Sequence, residues 1–169
     1  MFNVPAYSQF LDVKNRHWRN KSCGVVALKS VLEYWKNGDI DVDALTKRGK
    51  KLKAYLEDIG WKHAGLALLA RQHGLRAKNF DWAKFPSHAA WKKLGAELKN
   101  GPVIASIYKN LKPKTSGHLV VITGIKKGLI YYNDPGSKTK RDVEKRASKA
   151  RFLRGWKKRI IVVLPKRNR

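Results

Sequence analysis

One cysteine occurs in the 169 residues. It stands in Ser22-Cys23-Gly24, at the head of a segment where Ala27, Leu28, Val31, Leu32 and Trp35 recur at helical spacing. The pattern predicts a helix that begins at Cys23, with Ser22 as its N-cap and one apolar face buried. In a first turn, unpaired backbone N–H groups and the positive end of the helix dipole favour a thiolate over a thiol. A reactive sulfur of this kind needs a histidine to accept its proton and an acid to orient that histidine.

Of five histidines, His118 follows Gly117 at the start of the apolar run Leu119-Val120-Val121-Ile122. Asp134 closes the next such run, in Asn133-Asp134-Pro135. If the two runs pair as a hairpin through Lys126-Lys127-Gly128, the start of one lies beside the end of the other. His118 and Asp134 then become neighbours, and the acid can hold the imidazole in the tautomer that takes a thiol proton. Each residue also has a plain structural explanation. A buried cysteine packs as a small hydrophobe, and Asp before Pro is ordinary turn chemistry. Spacing alone leaves both open.

The elements that must carry these groups follow from periodicity and punctuation. Val4 to Leu11 is a short extended segment, and a polar loop leads to Cys23. Gly38 stops the first helix; Asp41 caps a second, expected to run through Leu45, Leu52, Tyr55, Leu56 and Ile59 to Gly60. A third spans Ala64 to His73, and a fourth follows Pro86-Ser87 up to Asn100-Gly101. Beyond Gly101 strands dominate: Pro102–Tyr108, His118–Ile125, Leu129–Asn133 and Arg159–Leu164, with a short basic helix expected from Val143 to Gly155. Leu75–Phe80 is a further candidate strand. The expected fold class is α+β, with N-terminal helices packed on one face of a C-terminal antiparallel sheet.

Length and composition suit one domain over residues 1–169, its last five residues forming a basic tail, and a monomer is expected. With one cysteine no intrachain disulfide can form. No apolar run approaches the ~20 residues of a membrane span, and the first residues lack signal-peptide character, so a cytoplasmic location is expected. Lys and Arg number 38 against 12 acidic residues, a formal charge of +26. Such a balance attracts polyanions without specifying one, and a solvated basic surface explains it equally well. No His/Cys cluster has ligand spacing, so neither metal nor other cofactor is expected. His17, His63, His73 and His88 receive no role.

Several blocks in order resemble papain-like cysteine peptidases of the bacteriocin-processing type, relatives of double-glycine leader peptidase domains, and in particular their stand-alone branch. The blocks are Val4-Pro5-Ala6-Tyr7-Ser8-Gln9, Ser22-Cys23-Gly24, Gly60-Trp61-Lys62-His63-Ala64-Gly65-Leu66, Gln72-His73-Gly74-Leu75, Gly101-Pro102-Val103-Ile104, Gly117-His118 through Gly124, Tyr132-Asn133-Asp134-Pro135 and Phe152–Trp156. They cover nearly the whole chain. The resemblance implies a papain-like fold and a peptide or protein substrate, with possible cleavage after small residues such as Gly-Gly. It implies Cys23 as nucleophile, His118 as general base and acid, Asp134 as orienting acid and Gln9 as oxyanion-hole amide. The chain departs from the family pattern at Val25-Val26, where relatives often carry Pro and a small hydroxyl residue. A peptidase-like fold used as a basic binding module for nucleic acid or another polyanion is the competing class.

Overall fold

The computed structural model describes residues 1–166. Five α-helices and eight strands are found among them: α1 Cys23–Lys36, α2 Val42–Lys51, α3 His63–Gln72, α4 Ser87–Glu97 and α5 Lys149–Gly155, with β1 Tyr55–Leu56, β2 Gly60–Trp61, β3 Arg76–Asp81, β4 Val103–Tyr108, β5 Gly117–Lys126, β6 Leu129–Asn133, β7 Glu144–Ser148 and β8 Trp156–Leu164. Strands β3 to β8 form one antiparallel sheet in the order β3-β8-β4-β5-β6-β7, while β1 and β2 make a separate hairpin. The fold is α+β.

The central strands read as unbroken apolar runs because both sheet faces are covered. Ile104, Leu119, Val121, Ile161 and Val163 pack on one side with α1, α2 and α3. Val103, Ala105, Val120, Ile122, Ile160 and Val162 pack on the other with Ala90, Leu94 and Phe152 from α4 and α5. The expectation that all helices share one face is therefore corrected, since a continuous apolar strand leaves no solvent side.

Helix α1 is enclosed on nearly every side, and Val25 to Leu28, Val31 and Leu32 are fully buried. Two charged residues on it are buried as well. Lys29 Nζ bonds the Glu33 carboxylate, Asp39 Oδ1 at 2.9 Å and the Ile40 carbonyl at 2.7 Å. Tyr7 donates to Glu33 Oε2 at 2.6 Å, which anchors the N-terminal segment on the helix that carries Cys23.

Two helix expectations are overturned. The second helix ends at Lys51 rather than near Ile59. Lys53 turns left-handed (φ 52°), and the Ala54 N–H closes back on the Gly49 carbonyl. The chain then runs into the β1–β2 hairpin, whose Trp61 lies against Gly24 of α1 and Gly49 of α2. A Cβ at either glycine would fall within 2.7 Å of the indole. Within Val143–Gly155, the first half is strand β7 and only the second half is helical. β7 is an edge strand with one buried residue, Ala147, so its sequence carries no apolar alternation. Of the expected basic tail, Pro165 and Lys166 are exposed and 167–169 lie outside the described residues.

Candidate active site

Cys23 is the first residue of α1 and is only partly buried. Ser22 does not cap the helix: its hydroxyl donates to the Trp18 carbonyl at 2.7 Å, closing the 3-10 helix Arg16–Lys21. The first-turn N–H groups are thus left without a side-chain cap. Burial pushes the Cys23 thiol up. The His118 hydrogen bond and charge, with the backbone N–H groups of Leu119 and Gly24, outweigh it and bring the thiol below its ordinary value.

His118 is the second residue of β5 and pairs with Ile107 of β4. Its Nε2 lies 2.6 Å from Asp134 Oδ1, and both side chains are about nine-tenths buried (10% and 7% exposed). An ionised carboxylate can only accept, so Nε2 carries the proton and Nδ1 is left for Cys23. Burial disfavours the imidazolium, but Asp134 and Cys23 reverse this and raise His118 to about 9. Burial likewise opposes the Asp134 charge, and His118 and Lys145 hold it well below the usual carboxylate range. The thiol is lowered and the imidazole raised, the direction that favours a thiolate–imidazolium pair with an ionised carboxylate behind.

Asp134 owes its place to register: Val121 faces Asn133, so the residue after Asn133 swings toward the start of β5. Its loop is fixed by the Asp134 N–H on the Val143 carbonyl and by the Gly136 N–H on Oδ1 at 2.8 Å. A Cβ at Gly136 would sit 3.0 Å from His118 Cε1, so any larger residue there would press on the imidazole.

Gln9 reaches the same corner by backbone. Its N–H donates to the Pro135 carbonyl at 2.8 Å, Ser8 Oγ donates to the Ser137 carbonyl and Asn133 Nδ2 to that of Val4. Gln9 is buried (5% exposed), and its Oε1 has no hydrogen-bond partner.

In front of Cys23 and His118 lies an open cleft of about 840 Å³, walled by Tyr55, Gly60 and Trp61 of the hairpin and floored by Ser106, Asn79 and Arg159 of the sheet. The hairpin is tied to the loop before Cys23 by the Trp61 indole N–H on the Lys21 carbonyl and by the Lys21–Glu57 ion pair at 2.8 Å. His63 also lines the cleft, where burial and then the Arg159 charge lower it. Neither a hairpin wall nor a role for Lys145 was expected from the sequence. Lys145 Nζ donates to Asp134 Oδ2 at 2.6 Å from the unrecognised strand β7. Among the described residues no group of His, Cys, Asp and Glu could hold a metal ion, and no helix is long and apolar enough to cross a membrane.

Helices on a six-stranded antiparallel sheet, with a helix-terminal cysteine facing a strand histidine, define the papain-like class of thiol hydrolase folds. The chain matches the model of the Peptidase_C39 like family over residues 1–160 and belongs to that family, whose members are cysteine peptidases. Three solved structures share the fold. A C39-like peptidase from Bacillus anthracis is 17% identical, with a TM-score of 0.71 and 100% of this chain and 98% of that one covered. A double glycine motif protease from an AMS/PCAT transporter, in complex with the leader peptide, is 22% identical, with a TM-score of 0.66 and 98% and 94% covered. The peptidase domain of Streptococcus ComA, a bifunctional ABC transporter, is 20% identical, with a TM-score of 0.66 and 87% and 93% covered. Among curated proteins, none matches the chain.

Proposed function

We propose that the chain hydrolyses peptide bonds with Cys23 as nucleophile, His118 as general acid and base, Asp134 as the anion that orients His118, and Gln9 with the Cys23 N–H as the oxyanion hole. The observation that carries this is the 2.6 Å contact of His118 Nε2 with Asp134 Oδ1, with His118 and Cys23 lining one open cleft and His118 lowering the Cys23 thiol. The thiolate sulfur adds to the peptide carbonyl carbon, and the carbonyl oxygen takes up the charge between the two donors. Imidazolium gives its proton to the departing amine as the C–N bond breaks, leaving a thioester on Cys23. Neutral His118 then takes a proton from water, whose oxygen attacks the thioester carbonyl; the C–S bond breaks and the carboxylate product leaves.

The substrate proposed is a peptide cut after small residues such as Gly-Gly. A fold neighbour that is a double glycine motif protease, solved with a leader peptide, supports this. Peptides that differ only in having Gly-Gly, Ala-Ala or Leu-Leu before the scissile bond test it. Cleavage should favour Gly-Gly and vanish in Cys23→Ala. Equal cleavage of all three removes the small-residue preference, and cleavage that survives Cys23→Ala removes the mechanism. The +26 charge supports a second property, non-specific polyanion binding by the basic surface, alongside catalysis.

A further inference from the structure

Asp134 has two carboxylate oxygens, and the roles proposed above use only one. Oδ1 receives His118 Nε2 and the Gly136 N–H. Oδ2 is occupied by Lys145 Nζ at 2.6 Å, in a site where the Asp134 side chain is 7% exposed and that of Lys145 33%. Lys145 comes from β7, directly across from Tyr132 of β6, so sheet register points it at the residue two beyond Tyr132.

We propose that Lys145 is a positioning residue of the hydrolytic centre: its ammonium holds the outer oxygen of Asp134, keeping that carboxylate fixed and ionised whether His118 is charged or neutral. The inference rests on the roles proposed for Cys23, His118 and Asp134.

The need for it follows from the catalytic cycle. His118 alternates between imidazolium and imidazole. When it is neutral, a buried carboxylate would otherwise lose its only counter-charge, and an unpaired buried charge either takes up a proton or moves toward solvent. With Lys145 in place Asp134 remains an acceptor in both halves of the cycle. It therefore orients the imidazole without competing for its proton. The same cation also limits how strongly Asp134 holds the imidazolium proton, which leaves His118 a better acid toward the departing amine.

Other charged or titratable groups near this pair include Cys23 from α1, Lys157 from β8, Tyr132 from β6 and Arg151 from α5. Lys157 Nζ would lie 3.4 Å from a Cβ at Gly117, and the Tyr132 hydroxyl is raised by burial and then by the Asp134 charge, against Arg151. Neither Lys157 nor Tyr132 bonds the outer oxygen of Asp134, so the effect sought belongs to Lys145.

The test follows the His118 ring nitrogens by NMR across pH in full-length Cys23→Ala protein, with position 145 as Lys, Met, Gln or Arg. Loss of one nearby cation should raise the His118 midpoint by about one pH unit in Lys145→Met and in Lys145→Gln, and Lys145→Arg should restore it. With Cys23 present, Lys145→Met should lower kcat about 10-fold with little change in KM, and Lys145→Arg should recover most of it. Identical midpoints in all four proteins overturn the proposal. So does full recovery by Lys145→Gln, which would make the contact a packing matter. If Lys145→Met does not fold, the Gln and Arg variants decide the question alone. If the parent cleaves no peptide, the catalytic roles fail while the titration still settles the Lys145 contact.

Discussion

Replacing His118 by alanine should change Cys23 reactivity in a direction and by an amount that the contacts determine. In the intact site, burial works against the thiolate, and His118 opposes it by hydrogen bond and charge, aided by two backbone N–H groups. His118→Ala leaves only the Leu119 and Gly24 N–H groups against that burial, so the thiol should move upward. At pH 6.5 a cysteine at its ordinary ~8.5 is about 1% thiolate, so complete ionisation raises the thiolate population by about 100-fold. A thiolate of lower basicity is also a weaker nucleophile, by about 10-fold over such a range, so the net gain at pH 6.5 has a ceiling of about 10-fold. The assay is pseudo-first-order alkylation by iodoacetamide from pH 5 to 10, followed by intact mass; with one cysteine in the chain, each addition reports Cys23. In the intact protein, reactivity should persist well below pH 8.5, whereas His118→Ala should rise only with free-thiol ionisation. The upper side has its own sign. His118 is raised to about 9, so the imidazolium that must protonate the leaving amine is present below that pH and lost above it; kcat/KM should fall as pH climbs through about 9. Superimposable alkylation curves for the two proteins would refute an activated Cys23–His118 pair.

Gln9→Ala should lower kcat by about 10²- to 10³-fold while leaving iodoacetamide alkylation nearly unchanged, because the amide acts on the oxyanion and not on the thiol; an unaltered kcat would remove it from the oxyanion hole. Glu33→Ala should destabilise the fold by about 3–5 kcal/mol in urea unfolding, since it strands Lys29, which is 7% exposed, without its buried partner. A loss under about 1 kcal/mol would mean that Asp39 and the Ile40 carbonyl suffice for Lys29. Heparin or single-stranded nucleic acid should bind with an affinity that drops steeply with salt, with a log–log slope of about −0.7 per contact for the nucleic acid. That binding should be the same in Cys23→Ala, and weaker after charge reversal at Lys157, Lys158 and Arg159. A salt-independent affinity would dismiss the electrostatic explanation.

The approach of His118 to Asp134 was legible in the sequence because it depends on strong signals. Two apolar runs joined by Lys126-Lys127-Gly128 can pair in few ways, and burial of both faces leaves little freedom of register. The helix at Cys23 was legible for the same reason, although Ser22 turned out to serve the preceding 3-10 helix. The β1–β2 hairpin was hidden by coincidence: Leu45, Leu52, Tyr55, Leu56 and Ile59 satisfy a helical period, and a left-handed Lys53 is not a residue type that announces a stop. What ends the helix is tertiary, because Trp61 must return to fill the space left by Gly24 and Gly49.

Lys145 shows where such reading stops, and for a definite reason. Glu144-Lys145-Arg146-Ala147-Ser148 carries neither apolar alternation nor helical spacing, since an edge strand needs only one anchor, here Ala147. Its register is set by the partner: Ile130 faces Ala147 and Tyr132 faces Lys145. A slip of one residue would turn Lys145 to the other face of the sheet, leave Asp134 Oδ2 without its cation and present Glu144 or Arg146 instead. The buried Ala147 thus governs, two residues away, whether the acid behind His118 has a counter-charge. A side chain important to the site's electrostatics is placed by packing elsewhere in its strand, and its own type carries no sign of that role.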